Sequence, residues 1–183
     1  LPQPDTSTEP PAMVFKPGDI KEWSNMDDVN VVIWHLWETS RMHIASIDQK
    51  NYTVHFTGNT QSTFIKNFFN WLPDPEYYVE NFPEALDAPG EWYLDRKTGI
   101  LSYKPMPGEK ISNIKAVAPY ITRLVQFTGN PAAGKYVEYI KFAGLGFKYS
   151  DWQLEVAGHG DPQAAFSVEA TIQGSGVNNC IIS

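Results

Sequence analysis

The chain has 183 residues, of which 42% are hydrophobic and 14% aromatic, enough for one ordinary domain or two small ones with a real core. Its net charge of −7 repels phosphate backbones, so nucleic acid is not an expected partner. No apolar run approaches the roughly 20 residues that span a bilayer, so we expect no membrane span. The single cysteine excludes an intrachain disulfide and a cysteine-based zinc site, and the four histidines lack metal-ligand spacing. We therefore expect neither a metal nor a cofactor. No EF-hand pattern is present, and a calcium site formed by carboxylates and backbone carbonyls is the alternative left open.

The first residues, LPQPDTSTEPPAM, are rich in proline. They lack the basic and apolar regions of a signal peptide. We interpret residues 1–12 as a proline-rich linker.

The next hundred residues alternate in the manner of β-strands, between turns rich in Gly, Pro, Asn and Asp. Residues 29–37 (VNVVIWHLW) form a continuous apolar run, which predicts a strand buried on both faces. This prediction places Trp34 and Trp37 in the core. A short strand is predicted at residues 77–80, whereas residues 60–72 fit either a loop or an irregular helical turn.

A hairpin is predicted where residues 41–47 and 51–57 flank the turn Asp48-Gln49-Lys50. On the first strand we expect Met42, Ile44 and Ile47 to face one way. On the second strand Tyr52, Val54 and Phe56 alternate with polar residues.

Residues 81–105 combine aromatic side chains with four carboxylates, as sugar-cleaving sites do: Glu84, Asp87, Glu91 and Asp95. A structural role explains much of the same stretch. Asp95 suits the first position of a type I turn, and Gly99 supplies the positive φ of a bulge. Trp92 and Tyr103 then pack across a hairpin. We favour the structural interpretation.

After Pro119 short β segments recur at residues 123–129, 136–147, 165–174 and 177–183. Placing LVQFTG over FSVEAT brings Val177 near Val137, which gives a weak repeat of about forty residues. Such a repeat is typical of a parallel β-solenoid. The last residues, Ile182-Ser183, resemble the middle of a strand, so we expect this chain to be part of a longer one.

The repeat is interrupted by a polar loop at residues 149–163. Loops of a solenoid collect on one side and form its binding face. Trp152 is our candidate for stacking on a sugar, and Asp151, His159 and Asp161 are candidates for hydrogen bonds to its hydroxyls. A solvated insertion without a binding role is the alternative. We expect this loop to lie outside any strand ladder.

Three segments together resemble large secreted bacterial proteins that act on glycans: DVNVVIWHLWETSRMHIASID, YYVENFPEALDAPGEWYLDRKTGILSYKPMPGE and VEYIKFAGLGF. These are pectin-lyase-like proteins with a right-handed parallel β-helix, including proteins of glycoside hydrolase family 141. The likeness covers residues 19–183, and its one departure is Asn81-Phe82-Pro83, where many relatives have another apolar pair. It implies a secreted, periplasmic or cell-surface location.

The resemblance implies an all-β fold in which an antiparallel β-rich module, sandwich- or barrel-like, occupies residues 13–118. The first coils of the β-helix follow at residues 119–183. In such proteins the catalytic acids lie on later coils, so no catalytic residue is assigned here. The implied function is a non-catalytic scaffold or cleft wall of a glycoside hydrolase or polysaccharide lyase. Its partners are a glycan and the remainder of its own β-helix. A carbohydrate-binding or surface-recognition module and a purely structural domain are the alternatives.

Overall fold

The computed structural model describes residues 11–35, 38–59, 76–161 and 165–183. Throughout these ranges the chain is all-β, with short 3-10 turns and no α-helix, which confirms the predicted fold class. No helix in the described ranges has the length and hydropathy needed to cross a membrane. The 3-10 turns are Met26–Asp28, Pro83–Ala85, Ile111–Asn113 and Pro131–Ala133. The strands are β1 (Ala12–Val14), β2 (Asn30–Trp34), β3 (Thr39–Asp48), β4 (Thr53–Phe56), β5 (Glu76–Glu80), β6 (Trp92–Asp95), β7 (Ile100–Tyr103), β8 (Val125–Thr128), β9 (Val137–Glu138), β10 (Lys141–Phe142), β11 (His159–Gly160), β12 (Ile172–Ser175), β13 (Val177–Asn178) and β14 (Ile181–Ile182).

The chain folds as two compact units, and neither is continuous in sequence. The first unit consists of Leu1–Ile114 and Leu154–Phe166. The second consists of Lys115–Gln153 and Ser167–Ser183. The chain therefore leaves the second unit after residue 153 and returns to it at residue 167.

The first unit is built on a curled, half-barrel sheet with the strand order β1-β4-β3-β2-β5. Every pair along this order is antiparallel. The strand β11 also pairs antiparallel with β3, opposite Ser40 and Arg41. The ten-residue strand β3 thus pairs with β2, β4 and β11.

A register shift in β3 lets this strand turn its apolar residues inward. Ile44 pairs with Phe56, but the next pair along is Ser46 with His55, so Ala45 is an additional residue. In a regular strand Ile44 and Ile47 would point to opposite faces. The bulge adds one residue and brings both onto the core, together with Met42. The predicted inward set of three is confirmed.

The core of the first unit lies against one face of this sheet. Val54 and Phe56 are buried in it as predicted, whereas Tyr52 lies in the turn before β4 with φ +52°. Trp34 was predicted to be buried, but its side chain is 54% exposed. Side chains alternate along β2, so Trp34 lies on the face of the sheet that points away from the core, whereas Val31 and Ile33 lie on the core face. Trp37 and residues 60–72 lie outside the described residues. The core consists of Met13, Phe15, Ile20, Trp23, Val29, Val31, Ile33, Met42, Val54 and Phe56.

The strands β6 and β7 form the predicted hairpin, with Trp92 directly opposite Tyr103. The carboxylate Oδ1 of Asp95 accepts hydrogen bonds from the backbone N–H of Lys97 (2.9 Å) and of Thr98 (3.3 Å). Gly99 has φ +72°, as the bulge requires. The structural role predicted for Asp95 and Gly99 is confirmed.

We expect Gly99→Val to lower the free energy of unfolding by roughly 1–2 kcal/mol, since a β-branched residue is strained at positive φ. Asp95→Ala removes local hydrogen bonds and should lower it by about 0.5–1.5 kcal/mol. Urea unfolding followed by tryptophan fluorescence measures both. Parent-like stability of both variants would contradict this description of the turn.

The second unit consists of parallel strand pairs: β8 with β12, β9 with β13, and β10 with β14. Val137 pairs with Val177 and Lys141 with Ile181, which confirms the predicted forty-residue spacing for these pairs. The alignment of LVQFTG over FSVEAT is wrong, because Val125 pairs with Ile172. The strand begins later than the apolar pattern of residues 165–174 suggests.

The second unit has no buried residue within the part of it that the structure describes. Its apolar centre is a row of half-buried rings, in which Phe142 lies 5.9 Å from both Phe127 and Phe147. Ile181 and Ile182 on the last strand are exposed. These parallel strand pairs therefore leave much of their apolar surface open to water.

Residues 154–161 pack against the sheet of the first unit, although they were expected to lie outside any ladder. His159 and Gly160 pair with β3. The Thr57 hydroxyl donates a hydrogen bond to the carbonyl of Val156 at 2.6 Å. At Gly58 the two backbones approach so closely that an added Cβ would lie 2.1 Å from the carbonyl oxygen of Ala157. That expectation is wrong, because a two-residue strand pair cannot be read from local sequence.

We expect Gly58→Ala to lower the free energy of unfolding by about 1–3 kcal/mol, because the methyl group forces the two backbones apart. Urea unfolding gives the value, and amide hydrogen exchange should show faster exchange at residues 154–161. Gly146→Ala is the matched control, since nothing lies within 4 Å of its added Cβ. Unchanged exchange at residues 154–161 would show that Gly58 does not hold this segment.

Candidate functional site

The face of the first unit's sheet that points away from the core carries polar and aromatic side chains. Val31 and Ile33 of β2 point into the core, so the residues between and beside them point outward. Residues directly opposite each other on paired antiparallel strands share a face. We call this surface the outer face; its members are Asn30, Val32, Trp34, Thr39, Arg41, His43, Glu76, Tyr78, Glu80 and His159.

The outer face is arranged in rows across the strands. Arg41 of β3 lies opposite Val32 of β2 and opposite His159 of β11. Val32 lies opposite Tyr78 of β5 on its other side. In the next row, Asn30 of β2 lies opposite His43 of β3 on one side and opposite Glu80 of β5 on the other. Four strands therefore contribute side chains to one surface.

Two charge pairs lie on or beside this face. Nε of Arg41 lies 2.9 Å from Oε1 of Glu80, and both side chains are about one-third exposed. Nε2 of His159 lies 3.3 Å from Oδ2 of Asp161, whose side chain is buried. Arg41 and His159 thus each lie beside a carboxylate.

Two aromatic rings on the outer face are open to water. Trp34 is 54% exposed and Tyr78 is 42% exposed. Trp34 lies opposite Glu76, and Tyr78 is two residues further along the same strand. This diagonal relation places two side-chain origins roughly 7–8 Å apart, which is within reach of neighbouring units of one oligosaccharide.

Two histidines of the first unit have pKa values shifted towards the neutral form. Burial lowers the pKa of His43 below its ordinary value of 6.5, against a backbone hydrogen bond with Leu154, which raises it. Burial also lowers the pKa of His35, and nearby Glu38 raises it. The His35 Nε2 lies 2.8 Å from the hydroxyl of Ser40 on the core side.

These two depressed pKa values predict a pH dependence of stability. Protonation is harder in the folded than in the unfolded chain, so the unfolded chain binds more protons as pH falls. The free energy of unfolding should be constant above about pH 6.5 and fall below it, through the folded pKa values. Urea unfolding at pH 8.0, 6.5 and 5.5 measures this. His35→Gln should flatten the slope, and a parent-like slope in that variant would contradict the role of His35.

The sequence-predicted binding residues fall in different units. His159 and Asp161 belong to the first unit, where they form the charge pair beside the outer face. Asp151 and Trp152 belong to the second, where the backbone N–H of Asp151 donates to the carbonyl of Ile121 at 2.9 Å and Trp152 is half-buried. A role of these four residues in glycan binding stays a prediction.

Sequence reasoning missed Trp34, Tyr78, Arg41 and Glu80. One signal was present: Asn30 is polar within the run read as buried on both faces, and Trp34 shares its strand parity. Because residues 30 and 34 are separated by an even number of positions, they share a face of the strand, which assigns Trp34 to the polar face that carries Asn30. The positions of Tyr78 and Glu80 depend on the pairing of β2 with β5, which no local pattern predicts.

Two of the four carboxylates of residues 81–105, those of Glu91 and Asp95, hold turns together. Oε2 of Glu91 accepts hydrogen bonds from the backbone N–H groups of Asp87 (2.8 Å) and Ala88 (2.6 Å). A hydrogen bond with the Thr98 side chain lowers the pKa of Asp95, and one with Tyr103 lowers that of Glu109. A general acid needs a raised pKa, so Asp95 and Glu109 are unsuited to that task. Among the described residues, no three His, Cys, Asp or Glu side chains are grouped to hold a metal ion.

Comparison with known proteins gives a likeness in fold. No protein-family profile matches this chain, and no curated protein matches it. A solved structure described as a glycoside hydrolase is similar to it, with a TM-score of 0.53 and 24% sequence identity. The similarity covers 69% of this chain and 22% of the other. This chain therefore corresponds to less than a quarter of that protein's length.

Proposed function

We propose that this chain is a non-catalytic scaffold segment of a carbohydrate-active protein, and that it lines a glycan-binding cleft with its outer face. The observation that carries the proposal is the pair of exposed rings, Trp34 and Tyr78, beside the Arg41–Glu80 ion pair. The fold in which they lie is similar to a structure described as a glycoside hydrolase. A carbohydrate-related role follows from both.

Sugar recognition uses the two kinds of group that this face combines. The apolar face of a pyranose stacks on an aromatic ring, which contributes on the order of 1–3 kcal/mol. Arg41 donates hydrogen bonds to hydroxyl oxygens, and Glu80 accepts from hydroxyl hydrogens. Since the face carries Glu76 in addition to the Arg41–Glu80 ion pair, a neutral glycan fits it better than an acidic one. Two such stacks give an affinity in the millimolar range or somewhat better.

We assign bond cleavage to residues of the protein that lie outside this chain. Glycoside hydrolysis needs two carboxyl groups roughly 5–10 Å apart across the sugar, one of them with a raised pKa. Glu91 and Asp95 are engaged in turns by their own backbone neighbours. The outer face carries two carboxylates, Glu76 and Glu80. Glu80 is held in an ion pair with Arg41, which suits binding rather than proton transfer.

The second unit supports a larger assembly. Its parallel strand pairs and forty-residue spacing are typical of a right-handed parallel β-helix of the pectin-lyase-like kind. Since it has no buried residue in its described part, we propose that further coils of the same protein cover its apolar centre. The proposed location is outside the bacterial cell, in the periplasm or on the cell surface.

The proposal is tested by titrating the chain with cellohexaose, xylohexaose and trigalacturonate, followed by backbone NMR. We expect the neutral oligosaccharides to shift amides of β2, β3 and β5 more than trigalacturonate does. Trp34→Ala and Tyr78→Ala should each weaken binding about tenfold, the loss of one ring contact. Trp92→Ala is the matched control, because Trp92 is also exposed but lies on the β6–β7 hairpin.

Two outcomes would contradict the proposal. Binding that survives both outer-face variants but is lost in Trp152→Ala would move the site to the loop predicted from the sequence. Release of reducing sugar by the chain alone, abolished by Glu91→Gln, would show that it is catalytic. Binding without turnover is the expected result.

A further inference from the structure

The second unit contains a tyrosine held in an unfavourable backbone conformation. Tyr149 has φ +63° and is 62% exposed. A bulky side chain at positive φ is strained, and glycine or asparagine is the usual residue there. Packing within the described part of this chain does not explain the choice of tyrosine, because most of the surface of Tyr149 is open to water there. A strained and exposed aromatic residue points to a role outside folding.

The backbone around Tyr149 is fixed by contacts on the residues that follow it. The Ser150 hydroxyl lies 2.7 Å from the hydroxyl of Thr171 on the neighbouring coil. The backbone N–H of Asp151 donates to the carbonyl of Ile121 at 2.9 Å. These two contacts hold the strained backbone conformation of Tyr149 in place.

The same hydrogen bond brings a second exposed ring close to the first. Tyr120 precedes Ile121 and is 89% exposed. It lies one residue from the Asp151–Ile121 hydrogen bond, and Tyr149 lies two residues from it, so their Cα atoms are separated by on the order of 10 Å. Trp152 follows directly, and the carboxylate of Asp151 accepts a hydrogen bond from Gln153 at 3.2 Å. Aromatic rings and a carboxylate thus occupy one corner of the unit.

We propose that Tyr149 and Tyr120 form a second binding site for a pyranose oligosaccharide, with Asp151 accepting a hydrogen bond from a sugar hydroxyl. The site deepens the proposed function and rests on it for the ligand class. It lies wholly within the second unit and uses none of the outer-face residues. Two aromatic side chains whose Cα atoms lie on the order of 10 Å apart can reach alternate units of a short oligosaccharide.

Another tyrosine provides a matched control. Tyr139 has φ +59° and is 78% exposed, at the corner between β9 and β10. The equivalent residue of the next coil, after the pair Glu138–Asn178, is Asn179 with φ +52°. Asparagine therefore adopts the positive φ that this kind of corner between strands requires. The variants Tyr139→Asn and Tyr149→Asn relieve the same kind of strain, but only the second removes a ring from the proposed site.

The experiment measures melting temperature and binding of cellohexaose and xylohexaose by NMR for the parent, Tyr149→Asn, Tyr149→Phe and Tyr139→Asn. Both asparagine variants should keep the melting temperature or raise it by about 2–4 °C, since strain is relieved. Only Tyr149→Asn should abolish the ligand-induced shifts at residues 120–121 and 149–152. Tyr149→Phe should retain these shifts, because the ring is kept.

The outcomes separate this site from the outer face. Shifts at residues 149–152 that persist in Tyr149→Asn, or a lower melting temperature of that variant, would overturn the second site. If Trp34→Ala alone removes all binding, the outer face stands and the second site is wrong. If Tyr149→Asn removes its shifts while Trp34→Ala changes nothing, the second site stands and the outer face is wrong. A parent chain that binds neither oligosaccharide overturns both.

Discussion

The first unit depends on the pairing capacity of the ten residues of β3. This strand pairs with β2 along Thr39–His43, with β4 beyond its bulge, and with β11 at Ser40 and Arg41. The bulge changes which residues face inward midway along the strand, so one strand serves both parts of a curled sheet. Without it, Ile47 would point to water instead of packing against the core. The register of β3 therefore determines both which side chains enter the core and which lie on the outer face.

Local patterns predicted the features that local physics determines. The turn at Asp95–Gly99 depends on one carboxylate and one positive φ, and both are visible in the sequence. The forty-residue spacing of Val137 and Val177 was visible as a repeat. The exposure of Trp34 was missed because a run of apolar residues hides the alternation of the strand. The start of β12 was missed because residues 165–171 have the apolar alternation of a strand, although the strand begins at Ile172. The exposure of Trp34 and the start of β12 both depend on pairing between strands that are distant in sequence. The pairing of His159 and Gly160 with β3 likewise has no local sequence signal.

The outer face combines order and exposure in a way that suits recognition. Its side chains project from paired strands rather than from loops, so their spacing is set by the ladder. Arg41 is held by Glu80 across β2, and Val32 beneath them is buried. The rings of Trp34 and Tyr78 are left uncovered beside this network. The predicted residues His159 and Asp161 lie next to it, but neither could have been assigned to this face without the pairing of β11.

The late arrival of β11 affects how the chain is made. Ser40 and Arg41 emerge from the ribosome about 120 residues before their partners His159 and Gly160. At typical bacterial and eukaryotic elongation rates this interval lasts on the order of 10 s. During that time one edge of β3 offers free backbone groups to any other extended chain. A charged side chain on an open edge discourages such pairing, and Arg41 is the residue placed there. Arg41, which pairs with Glu80 in the finished sheet, is thus also suited to disfavour aggregation of the nascent sheet through this open edge.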